Sequence, residues 1–230
     1  EYRAHDGRGG EDLWRHEWRI ERHTQGEDTI LRVQQKGHGR RGHPTRTAWV
    51  GDLQVTLRRD GSRLSSRREL HDTLGALLEV EERELDSTTG AGRVTIVDAP
   101  SGRTSLRGIR VTRTAIDLEM LPLELRLLPA GDDQRMRFAL VTEEGKVVGM
   151  EARIVGQEKV EVPAGAFDCY RIDLRATGAL GVVAGLLLPK ISMWHTVAAP
   201  HFWVKYRGPA GGVGSREILR ELTRFERQGE

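Results

Sequence analysis

Apolar and polar residues alternate along most of this chain with a period of two. From Leu13 to Glu21, the positions Trp14, His16, Trp18 and Ile20 share one face, while Arg15, Glu17, Arg19 and Glu21 share the other. Side chains on a strand point alternately to its two faces. The segment therefore reads as a half-buried strand, aromatic inside and charged outside. Leu31 and Val33 repeat the pattern within 29–35. Leu53, Val55 and Leu57 alternate with Gln54, Thr56 and Arg58, and Val94 and Ile96 mark a further strand ahead of a turn at 98–102.

The second half alternates more clearly. Residues 136–142 read as a strand, Glu143-Glu144-Gly145-Lys146 as its turn and 147–155 as the return. Gly156 allows a bulge or bend. A strand at 159–162 then meets Pro163-Ala164-Gly165. Proline at the first corner and glycine in a left-handed position suit a type I turn with a bulge. On 167–175, Phe167, Cys169, Arg171 and Asp173 share one face, and Tyr170, Ile172 and Leu174 the other. Residues 194–197 and 202–206 are further strands. The segment 215–225 has two readings: Leu219, Leu222 and Phe225 fit a helix, and the alternation of charge fits a strand.

One segment reads as helical. Ile116, Met120, Leu123 and Leu127 fall at helical spacing, with Leu118, Leu121, Leu125 and Leu128 beside them. Pro122 interrupts this run, which predicts two short turns or a kinked helix. A helix apolar on all sides belongs in a core. The pattern as a whole predicts a mainly β fold with few α elements: a strongly curved antiparallel sheet, or open half-barrel, wrapped around one or two short apolar helices. No linker or fixed-period repeat divides the chain. Residues 1–230 read as a single domain, with a strand-rich part (1–113), an apolar helical part (114–129) and a hairpin-rich part (130–230).

Composition removes several function classes. The 36 basic and 34 acidic residues leave a net charge of +2, so global charge gives no nucleic-acid signal. There are 31 arginines, 5 lysines and no asparagine, so turns rely on glycine and proline. At 37% hydrophobic, the chain is too apolar to be disordered. The longest apolar run, 179–189, is too short for a membrane-spanning helix. Cys169 is the one cysteine, which excludes an internal disulfide and a cysteine-cluster metal site. The chain begins at Glu1, as one trimmed of a signal peptide or trimmed in cloning would.

From about Thr114 onward, the order of features resembles the domain-of-unknown-function 3108 family of bacterial envelope proteins. Asp117 leads an apolar segment ending Leu125-Arg126-Leu127-Leu128-Pro129, with Leu128 an extra residue against the family pattern. The most specific part is the run from Val155 to Tyr170, VGQEKVEVPAGAFDCY, and Glu221-Leu222 resembles the family's closing strand. The resemblance covers about half the chain. It implies a periplasmic or otherwise extracytoplasmic location in a bacterium, and a curved sheet similar to that of outer-membrane lipoprotein-localisation carriers. It carries no catalytic residues.

The chemistry-bearing positions support binding more than catalysis. Trp14, Trp18, Leu121, Leu125, Trp194 and Trp203, with Leu180, Val183, Leu186 and Leu187 of the apolar run, are candidates to line an apolar ligand site on the concave face. The bland reading of the tryptophans is an ordinary core, and of 179–189 a short buried helix closing one end of the barrel. The functional reading of 179–189 is a lid or interface. Lys36, Arg40 and Arg41, in the glycine-rich stretch 36–43 that reads as an exposed loop, are candidates for an anionic head group. The acidic run Glu79, Glu81, Glu82, Glu84 and Asp86 can neutralise the other basic residues of 32–68 across neighbouring strands. No aromatic platform is interleaved with the basic residues, so no nucleic-acid partner is expected.

His38 with His43, and His195 with His201, lack helical i, i+4 spacing and a clear carboxylate ligand, so no metal is expected. There is no G-x-S-x-G elbow. Gly211-Gly212-Val213-Gly214-Ser215 lacks the phosphate-loop lysine, and Cys169 alternates with core positions. The expectation is a non-catalytic envelope protein without a cofactor, binding a lipid or lipoprotein acyl chain, with peripheral membrane contact. The alternative is an interaction module with a solid core, docking an envelope protein through its sheet edges or the 179–189 segment.

Overall fold

In the computed structural model the described residues are nearly all β, mostly antiparallel, with a single short helix among them. The structure describes residues 1–7, 12–39, 47–58, 61–72, 74–111, 115–128, 134–142, 145–177, 190–210 and 216–226. The elements in chain order are β1 (Tyr2–Asp6), β2 (Asp12–Gln25), β3 (Asp28–Gly39), β4 (Thr47–Arg58), β5 (Gly61–His71), β6 (Leu77–Asp86), β7 (Ala91–Asp98), β8 (Thr104–Arg110), β9 (Ala115–Asp117), α1 (Leu121–Glu124) with a 3-10 turn (Leu125–Leu127), β10 (Arg135–Val141), β11 (Val147–Val162), β12 (Gly165–Ala176), β13 (Ile191–Thr196), β14 (Trp203–Pro209) and β15 (Glu217–Leu222). They group into two units. The first is Glu1–Arg15, Leu118–Phe138 and Val148–Glu230, and the second is His16–Asp117 and Ala139–Val147.

The first unit orders its strands β1-β15-β14-β13-β12-β11. Val162 pairs with Gly165, so Pro163 and Ala164 form the corner, and Gly165 takes the positive φ of 127° that comes after it. The ladder slips register between Ile154 and Gly156, which is the bulge that the glycine allows. Within 215–225, Glu217–Leu222 is the strand β15, with Arg220 opposite both Ala4 and Tyr206. Two flanking strands satisfy its backbone there, which outweighs the helical spacing of its leucines.

The apolar segment departs from its predicted form. Its first residues, Ala115–Asp117, are a strand, and the helix begins only at Leu121. Pro122 does not interrupt this helix; it lies in the first turn, where a missing N–H costs nothing. The predicted pair of short turns is α1 and then the 3-10 turn.

Register fixes the two faces of this unit. Ile172, Met193, Tyr206, Arg220 and Ala4 stand opposite one another in sequence across the strands, so they share a face. Arg171, Trp194, Lys205, Glu221 and Arg3 share the other. The first face carries the buried side chains of Met193, Ile172, Ile218 and Leu222. The second carries ion pairs, Lys205–Glu221 at 2.8 Å and His5–Glu221 at 3.1 Å, and a small cluster of Val160, Cys169, Trp194 and Val204.

The second unit is a meander in the order β8-β7-β6-β5-β4-β3-β2. The short β9 lies parallel to β10, with Ala115 opposite Ala139 and Asp117 opposite Val141. β8 and β9 stand at the two ends of the strand order of the described residues. The expected neutralisation of the basic stretch is present: Arg63 pairs with Asp86 at 2.6 Å, Arg67 with Glu82 at 2.5 Å, and Arg68 with Glu81. Each is a directly opposed cross-strand pair between β5 and β6. The basic stretch at 36–39 is not a loop; it is the end of β3, paired with β4 as far as Gly39 opposite Thr47.

Candidate functional site

The chemically unusual place in the first unit is the face that holds Arg220. Its guanidinium carbon lies 5.5 Å from the ring centre of Trp14, 5.6 Å from that of Trp203 and 5.8 Å from that of Tyr206. Each such cation–ring contact contributes about 0.5–2 kcal/mol, more as water is excluded. Tyr2 stacks on Trp203 with ring centres 4.4 Å apart, and its hydroxyl donates to the Trp203 carbonyl at 2.9 Å. Burial raises the Tyr2 phenol well above its ordinary value, and the charges of Arg126 and Arg220 act against that rise. Burial likewise pushes Tyr206 up to about 12, so its hydroxyl stays protonated and donates to the Pro209 carbonyl at 2.8 Å.

The helix supplies the second arginine. Leu121, Leu123 and Leu125 are buried, and Arg126 comes next in the 3-10 turn. His195, which is 2% exposed, fixes the helix by donating from Nε2 to the Pro122 carbonyl at 2.9 Å. A carbonyl only accepts, so that nitrogen carries the ring proton. Burial first, then the nearby charges of Arg126 and His201, hold His195 neutral and lower its pKa to about 4.

Arg126 Nε, Trp14 Nε1 and His195 Nδ1 are shut away from solvent and meet no hydrogen-bond partner among the described residues. Burial disfavours the charge on Arg126 and lowers its pKa, with Tyr2 the counteracting influence. The Arg126 charge acts on both Tyr2 and His195, and Tyr2 also feels Arg220. Arg126, Arg220, Tyr2 and His195 therefore form one connected, net-positive group packed among buried tryptophan and leucine side chains. Such a group can hold an anion.

The tryptophans and leucines predicted from sequence divide. Trp14 and Trp203 meet around Arg220, and Leu121 and Leu125 lie buried in the helical segment of the same unit. Trp194 faces the opposite side, packed with Cys169 and bonded through Nε1 to Glu158 at 2.5 Å. Trp18 belongs to the second unit, where it stacks on His16 at 5.6 Å. Leu180, Val183, Leu186 and Leu187 lie outside the described residues, as do Arg40, Arg41, His43 and 211–215. Lys36 is exposed on β3. His201 donates from Nδ1 to the Thr196 carbonyl at 2.9 Å. Cys169 is 0% exposed, and burial pushes its thiol up to about 12, so it is a core residue with little thiolate.

Arg126 and Arg220 were not among the predicted head-group residues. The signal for Arg126 was present: one arginine inside Leu125-Arg126-Leu127-Leu128, a run otherwise apolar on all sides. Arg220 had no such signal, because its meaning depends on Trp14 and Trp203, which lie far from it in sequence.

The second unit contains a cleft of about 580 Å³ lined by Gln54, Ser65, Arg63, Asp86, Glu84 and Arg93 among others. Its arginines are already matched, Arg63 with Asp86 and Arg93 with Glu84 at 2.8 Å. It offers neither unpaired charge nor broad apolar walls, so it does not suit an acyl ligand.

No family model and no curated protein matches the chain. Among solved structures, the chain is similar to a beta-barrel-like protein of the domain of unknown function DUF1849 from Brucella abortus. The TM-score is 0.57 at 10% identity, covering 96% of this chain and 92% of that one. At that identity the likeness speaks for the fold alone, and it agrees with the β architecture of the two units. A protein with a YmcC-like fold from Bacteroides fragilis aligns at 13% identity over 89% of this chain and 97% of that one. Its TM-score is 0.25, too low to support any argument.

Proposed function

We propose that the chain is a non-catalytic, extracytoplasmic bacterial protein that binds an amphipathic anion in its first unit. The ligand class is a fatty acid, or the acyl chain of a lipid with an acidic head. The observation that carries this reading is Arg126, whose Nε is shielded from solvent and has no acceptor among the described residues. Buried polar groups in folded proteins are almost always paired with protein, water or ligand. Leaving one unpaired costs about 1–3 kcal/mol. A carboxylate or phosphate beside Arg126 supplies the missing acceptor, and the chain attached to it lies along Leu121, Leu125 and Trp203. The extracytoplasmic location rests on the resemblance of the Val155–Tyr170 run to the 3108 family. The non-catalytic reading rests on side chains otherwise engaged: Cys169 is packed in the core, and His195 and His201 are bonded to backbone carbonyls.

The test is to export the protein to a bacterial periplasm, purify it without detergent, extract it with solvent and identify acyl species by mass spectrometry. An acyl anion near equimolar with protein is expected. Arg126→Met should reduce its recovery, and the affinity for added palmitate, roughly tenfold or more, as loss of a charged hydrogen bond implies. Lys36→Met should leave both unchanged. Absence of any acyl species, together with no binding of added palmitate, overturns the reading.

A further inference from the structure

The free edge of the second unit carries an inference independent of the Arg126 site. Among the described residues, β8 is a terminal strand whose one hydrogen-bonded neighbour is β7. Six of its seven residues are exposed, and Leu106 is 67% exposed. Two bonds beyond the ends of the ladder fix its phase. Asp98 N donates to Arg103 O at 2.9 Å, and Val111 N donates to Gly90 O at 3.1 Å. In an antiparallel pair the bonded positions alternate. Residues 103, 105, 107, 109 and 111 therefore turn their backbone groups toward β7. Thr104, Leu106, Gly108 and Arg110 turn theirs outward. A Cβ on Gly108 would meet nothing within 4 Å, so the sheet face there is uncovered among the described residues.

Charge says which chain fits. From Arg103 to Arg110 the sequence contains three arginines and no acid. Arg103 lies beside Asp98 at the turn, and Arg110 makes no ion pair among the described residues. Natural edges are often guarded by charge against pairing with another copy, since like charges directly opposed repel. Two antiparallel β8 strands would set arginine near arginine. The Arg110 charge, unmatched among the described residues, attracts an acidic strand. On the Leu106 face, β8 presents an apolar side chain beside Val97 and Thr95, so the fitting strand alternates acidic and apolar residues. We propose that β8 accepts an extended acidic segment of a partner protein as an added strand.

The probe is an acetylated, amidated ten-residue peptide alternating glutamate and valine, with a lysine–valine peptide as control. Binding is read by fluorescence anisotropy at low and high salt, and by amide hydrogen exchange of the whole chain. The acidic peptide should bind, weaken with salt, and slow exchange at Leu106, Gly108 and Arg110, whose N–H groups point outward. The lysine peptide should not bind. Leu106→Pro removes an outward donor without touching the β7 ladder and should weaken binding roughly tenfold. If that variant misfolds by circular dichroism, the paired variant Arg103→Glu with Arg110→Glu serves instead and should reverse the preference toward the lysine peptide. Equal binding of both peptides, or unchanged exchange at the three amides under saturating acidic peptide, overturns the proposal. So does dimerisation through β8 in sedimentation.

Discussion

Arg83 Nη1 lies 2.8 Å from Asp117 Oδ2, and the two side chains are 2% and 1% exposed. Arg83 is on β6 and Asp117 ends β9, so the pair joins two segments 34 residues apart in sequence. Glu81 accepts from Arg83 Nε and from Arg68. Two cations and two anions therefore balance inside the second unit. Burial alone would lower the Arg83 pKa, but the two carboxylates outweigh it and raise it.

Breaking this pair from one side removes the closest opposite charge from a buried group. Asp117→Asn should destabilise the protein by about 3–5 kcal/mol, and Arg83→Met, which takes from Asp117 its partner at 2.8 Å, by a similar amount. Replacing both, as Arg83→Met with Asp117→Leu, should recover most of the loss, because the cost of removing two charges from water disappears with them. Urea midpoints of the three variants check this. Equal and additive losses would show that the pair is not coupled.

His195 gives the chain an acid-sensitive step. Its folded pKa is about 4 because burial disfavours the imidazolium, whereas the unfolded ring titrates near its ordinary 6.5. Between those values the unfolded state binds more protons than the folded one. The contribution to stability is complete above about pH 6.5 and is lost as pH falls toward 4. From about pH 7 to pH 5 the loss should be about 2 kcal/mol. His195→Gln keeps a donor for the Pro122 carbonyl and removes the titration. Its urea midpoint should be flatter over that interval than that of the unaltered protein, and an equal slope would assign the acid sensitivity elsewhere.

Alternation made the β class readable, because a period of two survives in β2 from Trp14 to Ile20 whatever the strand packs against. Cross-strand neutralisation was readable too, since a meander brings Arg63, Arg67 and Arg68 beside Asp86, Glu82 and Glu81 with little choice of register. The apolar segment was less legible. Ile116 sits at helical spacing with Met120 and Leu123, yet Ile116 and Asp117 pair with Leu140 and Val141 as strand. Proline's helix-breaking reputation also misled at Pro122, where position in the first turn reverses its effect. The site depended on long-range placement. Composition cannot show that Trp14 and Trp203 enclose one arginine while Trp194 turns to the other face.

Gly37 shows how a close approach fixes β3. It lies opposite Trp49, and a Cβ at Gly37 would fall within the indole ring, which is itself fully buried. The tryptophan lies flat across the bare backbone. Gly37→Ala should force that ring from its place and destabilise the protein by about 1–3 kcal/mol, the usual effect of overpacking. Gly108→Ala, where nothing approaches, should change stability by less than about 0.5 kcal/mol. Thermal unfolding of the two variants side by side tests the contrast, and similar losses would show that the ring moves aside freely.

Arg126 separates a residue kept for binding from one kept for packing. A packing arginine contributes its aliphatic stem and its bonds, so its replacement lowers stability. Arg126 has an unpartnered Nε in surroundings that disfavour its charge. Methionine preserves the stem's bulk and removes both penalties. In protein stripped of lipid, Arg126→Met should therefore raise the unfolding free energy by about 1 kcal/mol, even as it loses affinity for palmitate. With saturating palmitate the order should invert, since bound ligand stabilises only the protein that holds it. Urea titrations with and without palmitate measure both signs. A variant less stable in the absence of lipid would make Arg126 a structural residue and remove the main support for the binding site.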